Sequence, residues 1–304
     1  MKKASIIALI GNAILAASKL AIGFVSGSLA VVGDGIDSST DVVIAIVALF
    51  TARIVDRPGD KEHPYGHTRA ETMATAALSF IVFFAGAQLL VRTAGELVSG
   101  AKPEIPSPIA LVVTAISIAG KLALAWSQFY YGRKTGSAML AANGKNMRSD
   151  VVISSSVLVG LVFTFVLGLP VLDRVVALLV SFWIIKVAVG IFVETNTELM
   201  DGTSDNGPYG EIFAAVGSVK GAGNPHRTRV RKLGALMVVD LDIEVESAMS
   251  VAAGHDIAIR VESAIKERLP EVYDVIVHVE PAGNDEKGEK YGLTPAENEA
   301  ASGK

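Results

Sequence analysis

The sequence predicts an all-α membrane domain of six transmembrane helices, followed by a small α+β ferredoxin-like domain on the cytoplasmic side. Three observations predict it. Six apolar stretches are each long enough to cross a hydrocarbon core ~30 Å thick, which takes about 20 residues of helix. Charged residues are sparse up to about residue 198 and crowd beyond it, the pattern of two domains in different solvents. Beyond Asp201 the apolar residues adopt the spacing of a soluble α/β unit.

The bulk numbers agree. Of 304 residues, 51% are hydrophobic and 19% charged, more apolar and less charged than a typical soluble chain, and the mean hydropathy is +0.46. A formal net charge of -4 and a pI near 5.8 speak against nucleic acid as a partner, which favours a basic face. With no cysteine there is no disulfide, no thiolate metal site and no Cys nucleophile. Any metal is therefore held by oxygen or imidazole.

The spans are expected at 5–25, 29–54, 70–97, 107–131, 140–168 and 171–195. The first follows Lys2-Lys3, but it is longer than a signal-peptide core and lacks a convincing A-x-A cleavage site, so it reads as a span. Lys2-Lys3, the loop with Arg53, Arg57, Lys61 and Arg69, the Arg133-Lys134 turn and the charged tail lie on one side. The uncharged Ser26-Gly27-Ser28 turn, the 98–106 loop and the turn with Asp173 and Arg174 lie on the other. Positive residues stay inside, so both termini are expected in the cytoplasm and the protein in the inner or plasma membrane.

After the membrane domain (1–200) comes a domain over 201–282. Pro208 to Val219 reads as a helix. Met237, Val239, Leu241, Ile243 and Val245 alternate with Val238, Asp240, Asp242, Glu244 and Glu246, a strand with one wet face. Ile257, Val261, Ile265 and Leu269 share one helix face, and Tyr273 to Val279 is a further strand closed by Pro281. Helix, strand, strand, helix, strand fits helices layered on an antiparallel sheet. The stretch 283–304 is polar and contains Gly, and reads as disordered.

The charges inside the spans carry the chemistry. Span two holds Asp34, Asp37 and Asp41, and the last two stand one turn apart on one face. A carboxylate near the bilayer centre costs roughly 2.5–3.5 kcal/mol on insertion scales. Span five repeats the spacing with Asn146 and Asp150. If the two faces meet, four oxygen-bearing side chains converge inside the membrane as a metal cage. The blander reading is that these residues cap helices or pair with buried cations such as Lys19 or Lys121; two matched pairs in separate spans weigh against it. Lys121 itself either snorkels or pairs with Asp34, and both readings stay open.

Three motifs then resemble the cation diffusion facilitator family of divalent metal transporters, over nearly the whole chain. Gly27-Ser28 precedes Asp37 and Asp41 at that family's spacing. The loop Pro58-Gly59-Asp60-Lys61-Glu62-His63-Pro64-Tyr65-Gly66-His67, followed by Arg69-Ala70-Glu71, is close to its most characteristic signature. Asn146 and Asp150 match its span-five pair. The resemblance implies a homodimeric secondary transporter, not an enzyme, that exchanges cytoplasmic metal for protons by alternating access in the lipid bilayer. It maps a transport site onto Asp37, Asp41, Asn146 and Asp150, a second site onto Asp60, His63 and His67, and a third, in the C-terminal domain, onto Asp240, His255, His278 and Glu280. It also implies a structural ion pair between Arg69 and Asp201.

The chain departs from zinc-transporting members at Asn146, where many have histidine. An all-oxygen site is harder, which suits Mn²⁺ better than Zn²⁺ and leaves Fe²⁺, Zn²⁺, Co²⁺ and Cd²⁺ as alternatives. In the C-terminal domain, Asn224 and Asp240 likewise stand where histidine is frequent, although His226, His278 and Glu280 are present, the last two on one strand face. Two rival functions fit the sequence less well. A membrane-bound metal sensor or assembly scaffold would not need the intramembrane pairs. A membrane metallohydrolase built on Asp60, His63 and His67 lacks any H-E-x-x-H or G-x-S-x-G motif.

Overall fold

The computed structural model describes residues 2–55, 57–99, 104–135, 138–203, 207–234, 236–283 and 291–302. Six long helices come first: α1 (Lys2–Ser26), α2 (Leu29–Val55), α3 (Arg69–Val98), α4 (Ile109–Thr135), α5 (Ala138–Leu167) and α6 (Val171–Leu199). Each is long and apolar enough to cross a membrane. The rest comprises α7 (Gly207–Ser218), β1 (Gly223–Leu233), β2 (Leu236–Val245), α8 (Val251–Arg268), β3 (Val272–Pro281) and α9 (Pro295–Ser302). Two compact units emerge, 1–53 with 74–193, and 54–73 with 194–304. The α2–α3 loop and the last turns of α6 group with the C-terminal unit.

In the first unit, Leu29, Val31, Val82, Leu89, Val157, Leu161, Val180 and Ile184 form a core shared by α2, α3, α5 and α6. A smaller cluster of Ala8, Ala125 and Met147 joins α1, α4 and α5. Ile14, Phe84, Phe163 and Leu179 remain exposed, as side chains facing lipid must. The α1–α2 turn shows how the sequence shapes the bundle. Gly27 takes the left-handed conformation (φ 72°). The Ser28 N–H donates to the Gly23 carbonyl at 3.1 Å and the Gly27 N–H to the Phe24 carbonyl at 3.4 Å, a Schellman closure. Ser28 then caps α2 through its Oγ, 3.2 Å from the Val31 N–H, and the buried Asp173 of α6 accepts from the Ser28 hydroxyl at 2.5 Å and the Leu29 N–H at 2.9 Å. A carboxylate at a helix N-terminus satisfies orphan N–H groups and complements the dipole.

In the C-terminal unit the sheet order is β1-β2-β3. β1 and β2 form an antiparallel hairpin, turning at Gly234 (φ 63°), whereas β3 runs parallel to β2. The sheet is thus mixed rather than antiparallel, because α8 crosses over between β2 and β3 and returns the chain in the same direction. Ile212, Val216, Leu241, Ile243, Ile257, Val261 and Ile265 form the core between α7, α8 and the sheet. Ser250 caps α8, its Oγ accepting from the Ala253 N–H at 3.3 Å.

The expectation of a disordered tail over 283–304 needs correcting for residues 291–302; 284–290 and 303–304 lie outside the described residues. Leu293 exchanges backbone hydrogen bonds with Thr228 of β1, at 2.9 and 3.1 Å, and packs against the core. α9 then starts from a capping box: the Thr294 N–H donates to Glu297 Oε2 at 2.9 Å, and the Glu297 N–H donates to Thr294 Oγ1 at 3.3 Å. The physical reason is the edge strand. The register breaks in β1 around His226 and Arg229, which leaves its Thr228 backbone groups to be satisfied by a strand segment from elsewhere.

Candidate functional site

Within the first unit, α2, α4 and α5 bring charge together. Lys121 of α4 extends its Nζ to 2.8 Å from Asp150 Oδ2 and 3.3 Å from Asp41 Oδ2. The two carboxyl groups thus share one ammonium, and Asp37 lies in the field of Asp150, Asp41, Asp34 and Lys121. The Lys121 side chain is 5% exposed, against 31% for Asp41 and 17% for Asp150, so the cluster is closed around the lysine and reachable at the carboxylates. Three of the four predicted transport residues thus share one electrostatic site. Asn146, one turn before Asp150, is exposed, and among the described residues no hydrogen bond joins it to the three carboxylates.

A second polar layer lies one helical turn along from the first. Lys19 of α1 sits 2.9 Å from Asp34 Oδ2 and donates to Ser154 at 2.8 Å and Ser38 at 3.0 Å. The Ser154 hydroxyl donates to Asp34 Oδ1 at 2.7 Å. All four side chains are buried. Lys121 consequently does not pair with Asp34, whose charge is already taken by Lys19. The serines at i+4 from Asp34 and Asp150 were the sequence signal for this layer, and the pattern of acidic pairs passed over them.

The α2–α3 loop carries Asp60, His63 and His67, whose candidate ligand atoms lie within 4.8 Å of one another. His63 Nδ1 is 3.3 Å and His67 Nε2 3.5 Å from the Asp60 carboxylate. The N–H of His63, at 2.7 Å, holds the Asp60 carboxyl below the usual carboxylate range, with help from the Glu62 N–H at 2.9 Å and the His63 ring. Asp60 is therefore ionised at neutral pH, the state a metal ligand needs. Nδ1 of His67 is buried without a hydrogen-bond partner among the described residues. One carboxylate and two imidazoles fit a borderline divalent ion.

In the C-terminal unit, His226, Asp242 and Glu280 form a buried cluster with ligand atoms within 4.8 Å of one another. His278 joins from the side, its Nε2 3.4 Å from Glu280 Oε1. Of the predicted set, His278 and Glu280 thus come together, whereas Asp240 and the exposed His255 on α8 do not enter this cluster. Asp242 was missed, although it stands on the same wet strand face as Asp240, directly beside His278 in the β2–β3 register. Arg227 reaches into the cluster, Nη1 lying 2.7 Å from Asp242 and 3.9 Å from Glu280. A guanidinium already balances these carboxylates.

Arg69, at the start of α3, pairs with Asp201 and donates to the Leu199 carbonyl at 2.9 Å. Asp201 closes α6 in the left-handed region (φ 60°), with the Gly202 N–H donating to the Thr197 carbonyl at 2.7 Å. Asp is among the few side chains that tolerate this conformation.

Comparison with known proteins settles what kind of protein carries these sites. The family model described as "Cation efflux transmembrane domain" matches residues 5–200, and "Cation efflux protein, cytoplasmic domain" matches 205–282. The chain belongs to the cation diffusion facilitator family. This transporter is 33% identical over 286 residues to "Uncharacterized transporter YdbO" of Bacillus subtilis, covering 92% of the present chain and 95% of the relative. It is 34% identical to "Manganese efflux system protein MneS" of the same organism, covering 88% and 91%. A solved "Metal-bound C-terminal domain of CzcD transporter from Thermotoga maritima" is 37% identical over 26% of this chain and 92% of that one, with a TM-score of 0.26. The transporter is an integral membrane protein of divalent metal cation efflux, not an enzyme, and its second domain is the family's dimerisation domain.

Proposed function

We propose that the transporter exports Mn²⁺ in exchange for protons, through a site formed by Asp37, Asp41, Asn146 and Asp150. The observation that carries this reading is the meeting of Asp41 and Asp150, from α2 and α5, on one buried cation position. A divalent ion there meets oxygen donors alone, the donor set that favours Mn²⁺ over Zn²⁺. Two relatives whose printed names state manganese efflux, MneS and MneP, support that ion. Zn²⁺, Fe²⁺, Co²⁺ and Cd²⁺ are the competing substrates.

Ligating carboxylates must be deprotonated, so metal entry expels protons and proton entry expels metal. With both termini in the cytoplasm, the inward gradient of protons drives export. Asn146 joins the carboxylates as the site closes on metal. Asp60, His63 and His67 form an accessory metal site. The C-terminal cluster, with His278 and Glu280, serves the dimerisation domain, while Asp240 and His255 act at the face between subunits. Arg69 and Asp201 hold their helix ends together.

The test is ⁵⁴Mn²⁺ uptake into proteoliposomes with an acidic lumen. Asp41→Ala abolishes uptake while the protein inserts and dimerises as the parent does. Uptake at the parent rate in that variant removes the site from the proposal.

A further inference from the structure

The cation position on Asp41 and Asp150 is filled by the protein itself. Lys121 contributes an ammonium 2.8 and 3.3 Å from one oxygen of each carboxylate, and its side chain is 5% exposed. A divalent ion coordinates carboxylate oxygens at roughly 2.0–2.6 Å. An ammonium in ion-pair contact with the same two oxygens stands where such an ion would sit and repels it. Metal and ammonium are therefore alternatives at one place. Lysine suits the role: its charge is a compact point at the end of a flexible four-carbon stem, able to withdraw without moving α4.

The surroundings explain why a counter-ion is needed. Asp41 and Asp150 turn carboxyl oxygens toward one point inside membrane-spanning helices, where a cation is the favourable neighbour. Lys19 is committed to Asp34 in the neighbouring layer, held at 2.9 Å and hydrogen-bonded to Ser38 and Ser154. Among the described residues, Lys121 is the basic side chain that ion-pairs with Asp41 and Asp150.

Building on the transport-site reading above, we propose that Lys121 is a tethered counter-cation. It occupies the metal position in the empty transporter, is displaced when metal enters, and returns to help metal leave. It acts as a positioning residue that sets affinity against turnover. Because only the fraction of molecules with the lysine withdrawn can bind, the apparent affinity is weakened by that fraction, and removing the ammonium restores it.

The experiment uses the full-length protein in detergent, with Mn²⁺ alone as the probe in isothermal titration, and proteoliposome uptake in parallel. Lys121→Met is expected to tighten Mn²⁺ binding at least about tenfold, since a unit charge at this distance is worth more than a tenfold factor even with substantial dielectric screening. The same variant lowers the maximal uptake rate while lowering KM, a split that a merely structural lysine does not produce. Mn²⁺ also raises its melting temperature more than the parent's, because the unpaired carboxylates gain a partner. Lys121→Arg keeps a competing cation and stays near the parent affinity; Lys121→Gln supplies the neutral test if the methionine variant does not assemble.

Asp150→Asn separates the two readings. If it abolishes binding while Lys121→Met or Lys121→Gln binds Mn²⁺ no more tightly than the parent, the lysine proposal is overturned and the transport site stands. If Asp150→Asn binds as the parent does, the site itself is wrong and the lysine proposal falls with it.

Discussion

Replacing Asp34 by Asn is the sharpest structural perturbation of the membrane unit. Asp34 and Lys19 are 1% and 2% exposed and stand 2.9 Å apart, so neither has water as an alternative partner. The amide keeps the size of the carboxyl and removes its charge, leaving the ammonium with the hydroxyls of Ser38 and Ser154. Ser154 also loses the charged acceptor of its own proton. Breaking one partner of a buried pair costs about 3–5 kcal/mol, because the remaining charge stays desolvated. Replacing both members with uncharged groups costs much less, so Lys19→Met combined with Asp34→Asn is more stable than Asp34→Asn alone. The assay is unfolding of the detergent-purified protein by denaturant, arranged as a double-mutant cycle. A loss below about 1 kcal/mol for Asp34→Asn, the level of an exposed pair, refutes the reasoning. So does strict additivity of the two substitutions.

Two further predictions concern the C-terminal unit. Leu241 is 1% exposed at the centre of its core, so Leu241→Ala destabilises that unit by about 2–5 kcal/mol in denaturant unfolding; a change under 1 kcal/mol contradicts the packing described. Glu244 is held below the ordinary glutamate range by the side chain of Asn224 at 2.5 Å and the N–H of Gly283 at 3.0 Å. A depressed folded pKa contributes stability above the unfolded value, roughly 4.3, that is lost as pH falls through the folded one. Asn224→Ala therefore narrows the stability gap to the parent as the pH is lowered from 7 to about 3. A gap independent of pH contradicts this assignment.

The six spans were legible because stretches of about twenty predominantly apolar residues have few other uses, and their observed ends fall within a few residues of those read from hydropathy. The soluble strand over 237–245 was equally plain from its period of two. β1 was harder to place. Its sequence, GNPHRTRVRKL, carries Pro and four basic residues, as an edge strand does, and gives no clean alternation. α9 was overlooked because composition outweighed Thr294-Pro295-Ala296-Glu297, a capping box with Pro at the first helical position.

The acidic side chains of the membrane site were visible from spacing, but their partners were not. Spacing says which side chains share a helix face and nothing about which neighbouring helix turns toward it. That is why the sequence left Lys121 open between snorkelling and pairing with Asp34, when α1 supplies Lys19 to that residue and α4 supplies Lys121 to Asp41 and Asp150. The C-terminal cluster was half visible for a similar reason. His278 and Glu280 share a strand, whereas Asp242 becomes their neighbour only through the parallel β2–β3 register.

The most direct test of the central claim is uptake of Mn²⁺ and Zn²⁺, side by side, into proteoliposomes holding either the parent or Asn146→His. An oxygen-only transport site predicts Mn²⁺ uptake by the parent and a shift toward Zn²⁺ when an imidazole is installed. Equal Zn²⁺ uptake by both proteins, or no change in the Mn²⁺-to-Zn²⁺ ratio, contradicts it.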